Sequence, residues 1–309
     1  MNGILLVDKP KGWTSFDVVA KVRSILRTAT RNQQIVNSNK KLISNSYFLV
    51  SSSPKVNLLG VSHLDAVLGS QDEQVSRAGG TVNERQTPAD TAMRQEPTGA
   101  ASFAGRQSKA VRKIRVGHTG TLDPMATGLL VILIGSYTKK ASELTKLDKT
   151  YEVTMKLGFT STTGDSEGTI TVTKSVRPDI NTVQIKKVFG EFIGEGLQTP
   201  PAYSAIKVNG QRAYKLARQG KEVKLESRKV TIYSIQLTAY SYPTVKFTAK
   251  VSSGTYVRSL VEDIGNKLGT GAYMSDLRRT QVGKFDIKDA ITMDSISSEI
   301  IYSKLQTKN

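Results

Sequence analysis

Between Thr28 and Arg112 the chain loses the hydrophobic periodicity from which a core is built. The stretch is rich in Ser, Asn, Gln, Thr and Gly, and its apolar residues are scattered. Glycine and proline punctuate it, as at Ala78-Gly79-Gly80 and Glu96-Pro97-Thr98-Gly99. Such a composition buries too little apolar surface to offset the entropy lost on ordering. Residues 28–112 therefore read as a disordered insertion, and a fold must be assembled from residues 1–27 and 113–309. Tyr47-Phe48-Leu49-Val50 is the exception within it, read as a local strand. His63 has no second His or Cys near it and reads as a surface histidine.

Either side of the insertion the periodicities are clear. Gly3 to Val7 reads as a short buried strand. Thr14 or Ser15 can cap a helix whose strongest stripe is Val18, Val22, Ile25 and Leu26, with Phe16, Val19, Ala20 and Arg23 on another face. Tyr151 to Leu157 alternates as a strand, with Gly168 to Thr173 as its hairpin partner across a turn at Ser161–Asp165. Thr182 can cap a helix with Ile185, Val188, Phe189 and Phe192 on one side. Lys229–Leu237 and Val245–Val251 read as strands flanking a turn at Tyr242-Pro243. Leu260, Ile264 and Leu268 mark a further helix, and Gln281–Ile287 a last strand. No βαβ rhythm connects these elements. The expected class is α+β, a mixed and mainly antiparallel sheet with flanking helices.

Charge narrows the partner. The chain holds 44 Lys and Arg against 26 Asp and Glu, a net charge of +18. The insertion has ten basic and six acidic residues, so +4 resides there and +14 in the flanking body. That excess suits a polyanion bound through phosphate neutralisation and counterion release; a membrane surface is the other partner such a charge fits. With no cysteine and only two histidines, His63 and His118, neither a disulfide framework nor a Cys/His zinc cluster can be built. No stretch approaches the roughly eighteen apolar residues of a membrane span. MNGILLVDKP is too short, and charged too early, for a secretory signal. A cytoplasmic, metal-free protein is expected.

The chemistry concentrates in Gly117-His118-Thr119-Gly120-Thr121-Leu122-Asp123-Pro124-Met125-Ala126-Thr127-Gly128. Three glycines and a proline surround one carboxylate, and an apolar run, Leu129 to Ile134, follows. Glycine admits positive φ and close backbone approach, and proline fixes φ. The local reading is that Asp123 caps a helix begun by Pro124. The sharper reading is a rigidly held nucleophile beside space for a flat substrate.

This dodecapeptide resembles the motif around the nucleophilic aspartate of the TruB family of tRNA pseudouridine synthases. Five further segments resemble that family, in its order. They are Asp8-Lys9-Pro10-Lys11-Gly12-Trp13-Thr14-Ser15, Asp148-Lys149-Thr150-Tyr151-Glu152-Val153, and the loop from Gln198-Thr199-Pro200-Pro201 to Lys207. The last two are Ser253-Gly254-Thr255-Tyr256-Val257-Arg258-Ser259-Leu260 and Leu277-Arg278-Arg279-Thr280. The resemblance covers residues 1–27 and 113–297, leaving 298–309 as a tail. It implies the pseudouridine synthase fold. The insertion has no counterpart in it, and the short segment after Ile291 leaves no room for the small C-terminal RNA-binding domain usual in the family's bacterial members.

What the resemblance implies for chemistry is an isomerase that detaches uracil from C1′, turns it and rejoins it through C5, without cofactor or metal. Asp123 is the implied nucleophile. Arg258 is the implied partner that keeps it charged, although a structural ion pair or a phosphate contact would equally occupy an arginine. Tyr151 would stack on the base, though a core tyrosine is the plainer use of that residue. His118 would fill the space of the extruded base. Tyr256, Leu277, Asp165 and Lys139 complete the implied substrate site. Lys9, Tyr203, Lys207, Arg212, Lys215 and Arg218 are expected to contact RNA, the last five, with Tyr214, interleaving aromatics with bases in the manner of RNA-loop recognition. The expected substrate is tRNA, at uridine 55 of the T-loop, and the expected state a monomer with no obligate protein partner. Three alternatives stand beside this reading: a guide-dependent relative of the dyskerin type, an inactive RNA-binding or chaperone protein that keeps the fold, and an insertion that is a translated intervening sequence, which disables the protein or is removed from it.

Overall fold

A computed structural model describes residues 2–50, 114–173, 179–204, 206–208, 210–221, 223 and 225–306, with the backbone alone over 38–50 and at 306. The expectations for His63 and for the insertion beyond Val50 lie outside these residues. The elements in order are β1 (Gly3–Lys9), α1 (Ser15–Val50), β2 (Val116–Thr119), β3 (Thr127–Ile134), α2 (Ala141–Thr145), β4 (Lys149–Leu157), β5 (Phe159–Ser161) and β6 (Ile170–Val172). Then come α3 (Thr182–Glu191), β7 (Gly194–Gln198), β8 (Lys207–Val208), β9 (Gln211–Arg212), α4 (Ala213–Arg218), β10 (Arg228–Ser241) and β11 (Thr244–Val251). The chain closes with α5 (Val257–Lys267), β12 (Ala272–Val282), β13 (Phe285–Asp286), β14 (Ile291–Thr292) and α6 (Ser298–Gln306).

One sheet organises the chain, in the order β14-β1-β3-β12-β4-β11-β10-β7, with β2 beside β3 and β13 beside β12. Only β1 with β14 and β12 with β3 are parallel; the other pairs are antiparallel. The α+β expectation is therefore met. In its central part the sheet is covered on one face. Along β4 the residues Lys149, Tyr151, Val153, Met155 and Leu157 are buried, while Thr150, Glu152, Thr154 and Lys156 alternate towards solvent, the pattern of an antiparallel sheet with one dry side. The dry side packs against Val257, Leu260, Val261 and Ile264 of α5 and Ile185 and Phe189 of α3. Towards β1 and β3 both faces are buried. One face meets Val18, Val22 and Leu26 of α1 with Ile301 and Leu305 of α6; the other meets Val282 and Phe285. No helix of the described residues is long and apolar enough to cross a membrane.

The differences from the sequence reading have local causes. The helix of α1 does not stop at Arg27 but runs to Val50, so Tyr47–Val50 are helical and not the expected strand. No glycine or proline occurs between Arg27 and Pro54, so loss of the apolar stripe ended the need for burial without stopping the helix. The chain divides into one unit of residues 1–36 and 112–309 and a second of residues 37–111. The helix-start reading at Pro124 fails: the Ala126 N–H closes a turn on the Asp123 carbonyl, and the chain enters β3. Gly168–Thr173 supplies β6, which pairs with β5 and not with β4. Gln281 belongs to the end of the long β12, so the expected strand at 281–287 is two elements meeting at a turn. The cap of α3 is Asn181, one residue before Thr182, in a reciprocal box with Gln184. Ser298–Gln306, expected to be a tail, is α6, because Ile301 and Leu305, four apart, share one buried face.

Candidate active site

Asp123 sits in the loop between β2 and β3, and contacts distant in sequence fix the backbone on both its flanks. Thr14 and Asp17 cap α1 reciprocally, the Thr14 N–H donating to Asp17 at 2.9 Å and the Asp17 N–H to the Thr14 hydroxyl at 3.1 Å. That leaves Ser15 free to turn to the loop. Its hydroxyl accepts from the Leu122 N–H at 2.8 Å and donates to the Leu122 carbonyl at 3.1 Å. On the other flank the Pro124 carbonyl accepts from the Gly12 N–H at 2.8 Å and from Lys9 Nζ at 3.3 Å.

Lys9 is the main departure among the expected RNA contacts. It is fully buried, and its ammonium also reaches the carbonyls of Trp13, at 2.6 Å, and Pro10, at 3.0 Å. Burial lowers its pKa to about 8. It is a clamp for the aspartate loop, closed off from any phosphate. A third clamp comes from β12. Arg279 Nε donates to the Leu129 carbonyl at 2.8 Å and Nη2 to the Gly120 carbonyl at 3.1 Å. Gly128, at φ +102°, lies against the Arg279 backbone so closely that a Cβ there would collide with it.

The charge partner of Asp123 is Arg258, in the first turn of α5. Its Nη2 lies 3.2 Å from Asp123 Oδ2 and its Nη1 3.3 Å from Asp165 Oδ2. The same nitrogens donate to the carbonyls of Tyr203, at 3.0 Å, and Thr163, at 3.1 Å. Asp165 is almost wholly buried and accepts from the Thr163 hydroxyl and the Glu167 N–H. The Asp123 side chain is 36% exposed, open on one side. Burial nonetheless pushes its carboxyl above the ordinary aspartate range, and the Arg258 guanidinium pulls it back down.

Arg258 is aimed by a residue that the residue-type reading did not single out. The amide of Gln198 grips Tyr256 twice: its Oε1 accepts from the Tyr256 N–H at 2.8 Å and its Nε2 donates to the Tyr256 carbonyl at 3.0 Å. Ser259 adds a bond to the Thr199 carbonyl at 3.1 Å. The loop after β7 is thereby tied to the start of α5. A buried amide opening a Pro-Pro loop was the available signal.

These pieces enclose a cavity of about 290 Å³, with Asp123, Tyr151, Tyr203, Tyr256, Arg258 and Leu277 in its wall. The geometry supplies a carboxylate paired to arginine, aromatic faces and an apolar floor, which suits a flat polar ring held beside a nucleophile. Asp165 stands behind Arg258, outside the cavity wall. His118, on β2, also lies outside that wall; burial lowers its pKa, favouring the neutral ring. Lys139 is exposed and apart from the cavity. Lys207, Arg212, Lys215 and Arg218 are all exposed on the β8–β9 hairpin and α4, with the Arg218 guanidinium 5.7 Å from the Tyr214 ring centre.

Known proteins share this arrangement of sequence. The model of the TruB family pseudouridylate synthase N-terminal domain matches residues 107–257, and that of the tRNA pseudouridylate synthase B C-terminal domain matches residues 258–308. A protein named tRNA pseudouridine synthase B from Opitutus terrae is 42% identical over 205 residues, covering 66% of this chain and 85% of the relative. Its namesake from Burkholderia mallei is 44% identical over 193 residues, 62% of this chain and 63% of the relative. The namesake from Aquifex aeolicus is 43% identical over 197 residues, 63% and 68%. Among solved structures, a chain of the Cbf5-Nop10-Gar1 complex superposes with a TM-score of 0.55 at 23% identity, over 99% of this chain and 57% of that one. That likeness bears on the fold alone.

Proposed function

Because the chain belongs to the TruB family of pseudouridylate synthases, we propose that it isomerises uridine to pseudouridine in the T-loop of tRNA, at position 55, with Asp123 as the nucleophile and no cofactor. The observation that carries the reading is the Asp123–Arg258–Asp165 bridge at the edge of the cavity. Arg258 offsets the cost of holding an ionised carboxylate in a half-buried site, so Asp123 can meet the sugar or the base as an anion. Tyr151 offers a ring on which the uracil stacks, and Leu277 and Tyr256 close the space in which a detached base is retained while it turns. Asp165 keeps Arg258 in place and does not react. His118 fills the stack that the extruded nucleotide leaves, as a neutral ring and not as a base.

Outside the cavity, Lys207, Arg212, Lys215 and Arg218 with Tyr203 and Tyr214 form a basic, aromatic surface suited to a folded RNA loop. The excess charge of the synthase-like body supports the same partner. Lys139, exposed at the end of the apolar run, serves as a further phosphate contact in this reading. Residues 37–111 have no part in it. A cytoplasmic, monomeric protein acting on tRNA without a protein partner is the corresponding cellular picture. The test is conversion of uridine in a tRNA transcript by the purified full-length chain, read as pseudouridine in the product and repeated with a transcript carrying cytidine at position 55. Product from the first transcript and none from the second is expected; a protein that binds the RNA and yields no product would be an RNA-binding protein that keeps the fold.

A further inference from the structure

Two cations in the cavity wall have no carboxylate to balance them. Lys149 begins β4 and shares its covered face with Tyr151, and Arg279 on β12 pairs in register with Tyr151. Both side chains converge above Gly120. A methyl group on that Cα would lie 3.5 Å from Arg279 Nη1 and 3.8 Å from Lys149 Cε. The Nε and Nη2 of Arg279 are held by backbone carbonyls, so Nη1 is left without a hydrogen-bond partner among the described residues. Lys149 Nζ donates once, to the Thr145 carbonyl at 2.6 Å, and keeps two protons. Neither side chain has an ion pair among the described residues. Asp148 attracts Lys149 only at longer range, and its carboxylate accepts from the Tyr233 hydroxyl at 3.1 Å. Arg258 contrasts with both: its two terminal nitrogens are engaged with two carboxylates and two carbonyls. Burial, reinforced by the neighbouring Arg279, brings the Lys149 ammonium down to about 8, as expected of a cation placed beside a like charge without an anion between them.

We propose that Lys149 Nζ and Arg279 Nη1 form a phosphodiester subsite, which takes one of the two phosphates flanking the uridine that stacks on Tyr151. The inference rests on the RNA-directed function proposed above. A compact ammonium with two unused protons and a rigid guanidinium nitrogen are complementary donors for two oxygens of one phosphate. The subsite stands beside Tyr151 and over Gly120, in the loop that carries Asp123, so it grips the nucleotide by its backbone while the base is free to leave C1′ and turn. Lys149 and Arg279 are positioning residues in this scheme, and neither touches the reacting bond.

The test is a cycle between protein and RNA. Arg279 also holds the aspartate loop, so its truncation would confuse binding with folding; Lys149→Met removes the ammonium and keeps the stem. Equilibrium binding is measured with a T-loop stem-loop RNA and with two versions in which the phosphate 5′ or 3′ of the target uridine is a neutral methylphosphonate. Lys149→Met is expected to weaken binding of the native RNA by about tenfold, the loss of one charge-assisted hydrogen bond, and Lys149→Arg to restore most of it. With the methylphosphonate at the phosphate that occupies the subsite, wild type should bind as weakly as the variant, and Lys149→Met should cost nothing more. A Lys149→Met penalty of the same size on all three RNAs, or a Lys149→Arg variant as weak as Lys149→Met, would overturn the subsite and leave Lys149 a structural residue. A wild-type protein that neither binds nor converts the native RNA would instead defeat the synthase reading, and the subsite with it.

Discussion

Ser15 holds Leu122 by both of its backbone polar groups, accepting from the N–H at 2.8 Å and donating to the carbonyl at 3.1 Å. The residue held is the one before Asp123, so a hydroxyl at the start of α1 sets the direction of the candidate nucleophile. Ser15→Ala leaves a buried N–H and a buried carbonyl unpaired, a loss of about 1–3 kcal/mol in thermal or denaturant unfolding. The accompanying kinetic effect should be a fall in kcat with KM nearly unchanged, because a displaced nucleophile binds RNA as before. A fall confined to KM would mean that Ser15 serves RNA binding instead.

Asp123→Asn keeps the shape of the side chain and removes its charge. Pseudouridine formation, followed by tritium release from labelled uridine, should be abolished while tRNA affinity stays within a few-fold of wild type. Substantial turnover by this variant would take Asp123 out of the nucleophile role.

Arg258 acts on Asp123 against burial, and that opposition gives a pH signature. Burial raises the carboxyl pKa, so the ionised form that chemistry needs is reached on an acid limb above the ordinary aspartate range. Arg258→Met removes the pull downward, and the acid limb of kcat/KM should move to higher pH. The stability effect has a definite sign: a carboxyl whose folded pKa lies above its unfolded value loses stability as pH rises through the folded value. The melting temperature of Arg258→Met should therefore lie well below wild type at pH 7.5, mainly by the cost of about 3–5 kcal/mol for breaking the buried Arg258–Asp165 pair, and the gap should narrow towards pH 5 as Asp123 takes up its proton. A gap that widens on acidification would contradict the direction assigned to Asp123.

Salt dependence locates the RNA surface. Lys207, Arg212, Lys215 and Arg218 lie on the outer β8–β9 hairpin and α4. Replacing the four with Ala should weaken tRNA binding and flatten the log–log salt slope by roughly 0.7–0.9 for each phosphate no longer neutralised. The rate at saturating RNA should be unchanged, since these side chains position the substrate without reacting. An unchanged slope would place the RNA surface elsewhere.

Excision tests the long insertion. The unit formed by residues 1–36 and 112–309 contains the whole sheet and every residue placed in the candidate site. Replacing Asn37–Val111 by a flexible linker should leave a folded, active synthase, because loop closure depends only weakly on loop length. Loss of cooperative unfolding in the excised protein would show that the fold depends on the removed segment.

Much of this was legible in the chain because the relevant signals are local. Alternation marked β4, β10 and β11, and 3.6-residue spacing marked α5 and the buried face of α1. The apolar run after Gly128 was visible too, but whether Asp-Pro began a helix or a turn into a strand depended on β1 and β12 lying either side of β3, which no window of sequence contains. Lys9 shows the limit most clearly. A lysine in a basic chain reads as a phosphate contact, and only the fold shows three carbonyls converging on its ammonium. The pairing of Asp165 with Arg258 was likewise invisible as a distance, although both residues stand in segments whose chemistry is apparent. Gln198 escapes notice because an amide carries no charge. The change of composition after Arg27 is plain in the sequence, and the division of the chain at Val36 and Asn37 is not, because a helix can continue after its reason for burial has ended.

Each clamp on the aspartate loop joins residues far apart in sequence: Ser15 to Leu122 across 107 positions, Lys9 to Pro124 across 115, Arg279 to Gly120 across 159. None can form until β1, β3 and β12 lie side by side, and such long-range closures are the slow steps of folding. Catalytic competence is thereby tied to the last contacts the chain makes. A nascent or partly unfolded molecule is expected to have no working fragment of the site, and loss of activity on heating should coincide with loss of the sheet as one event.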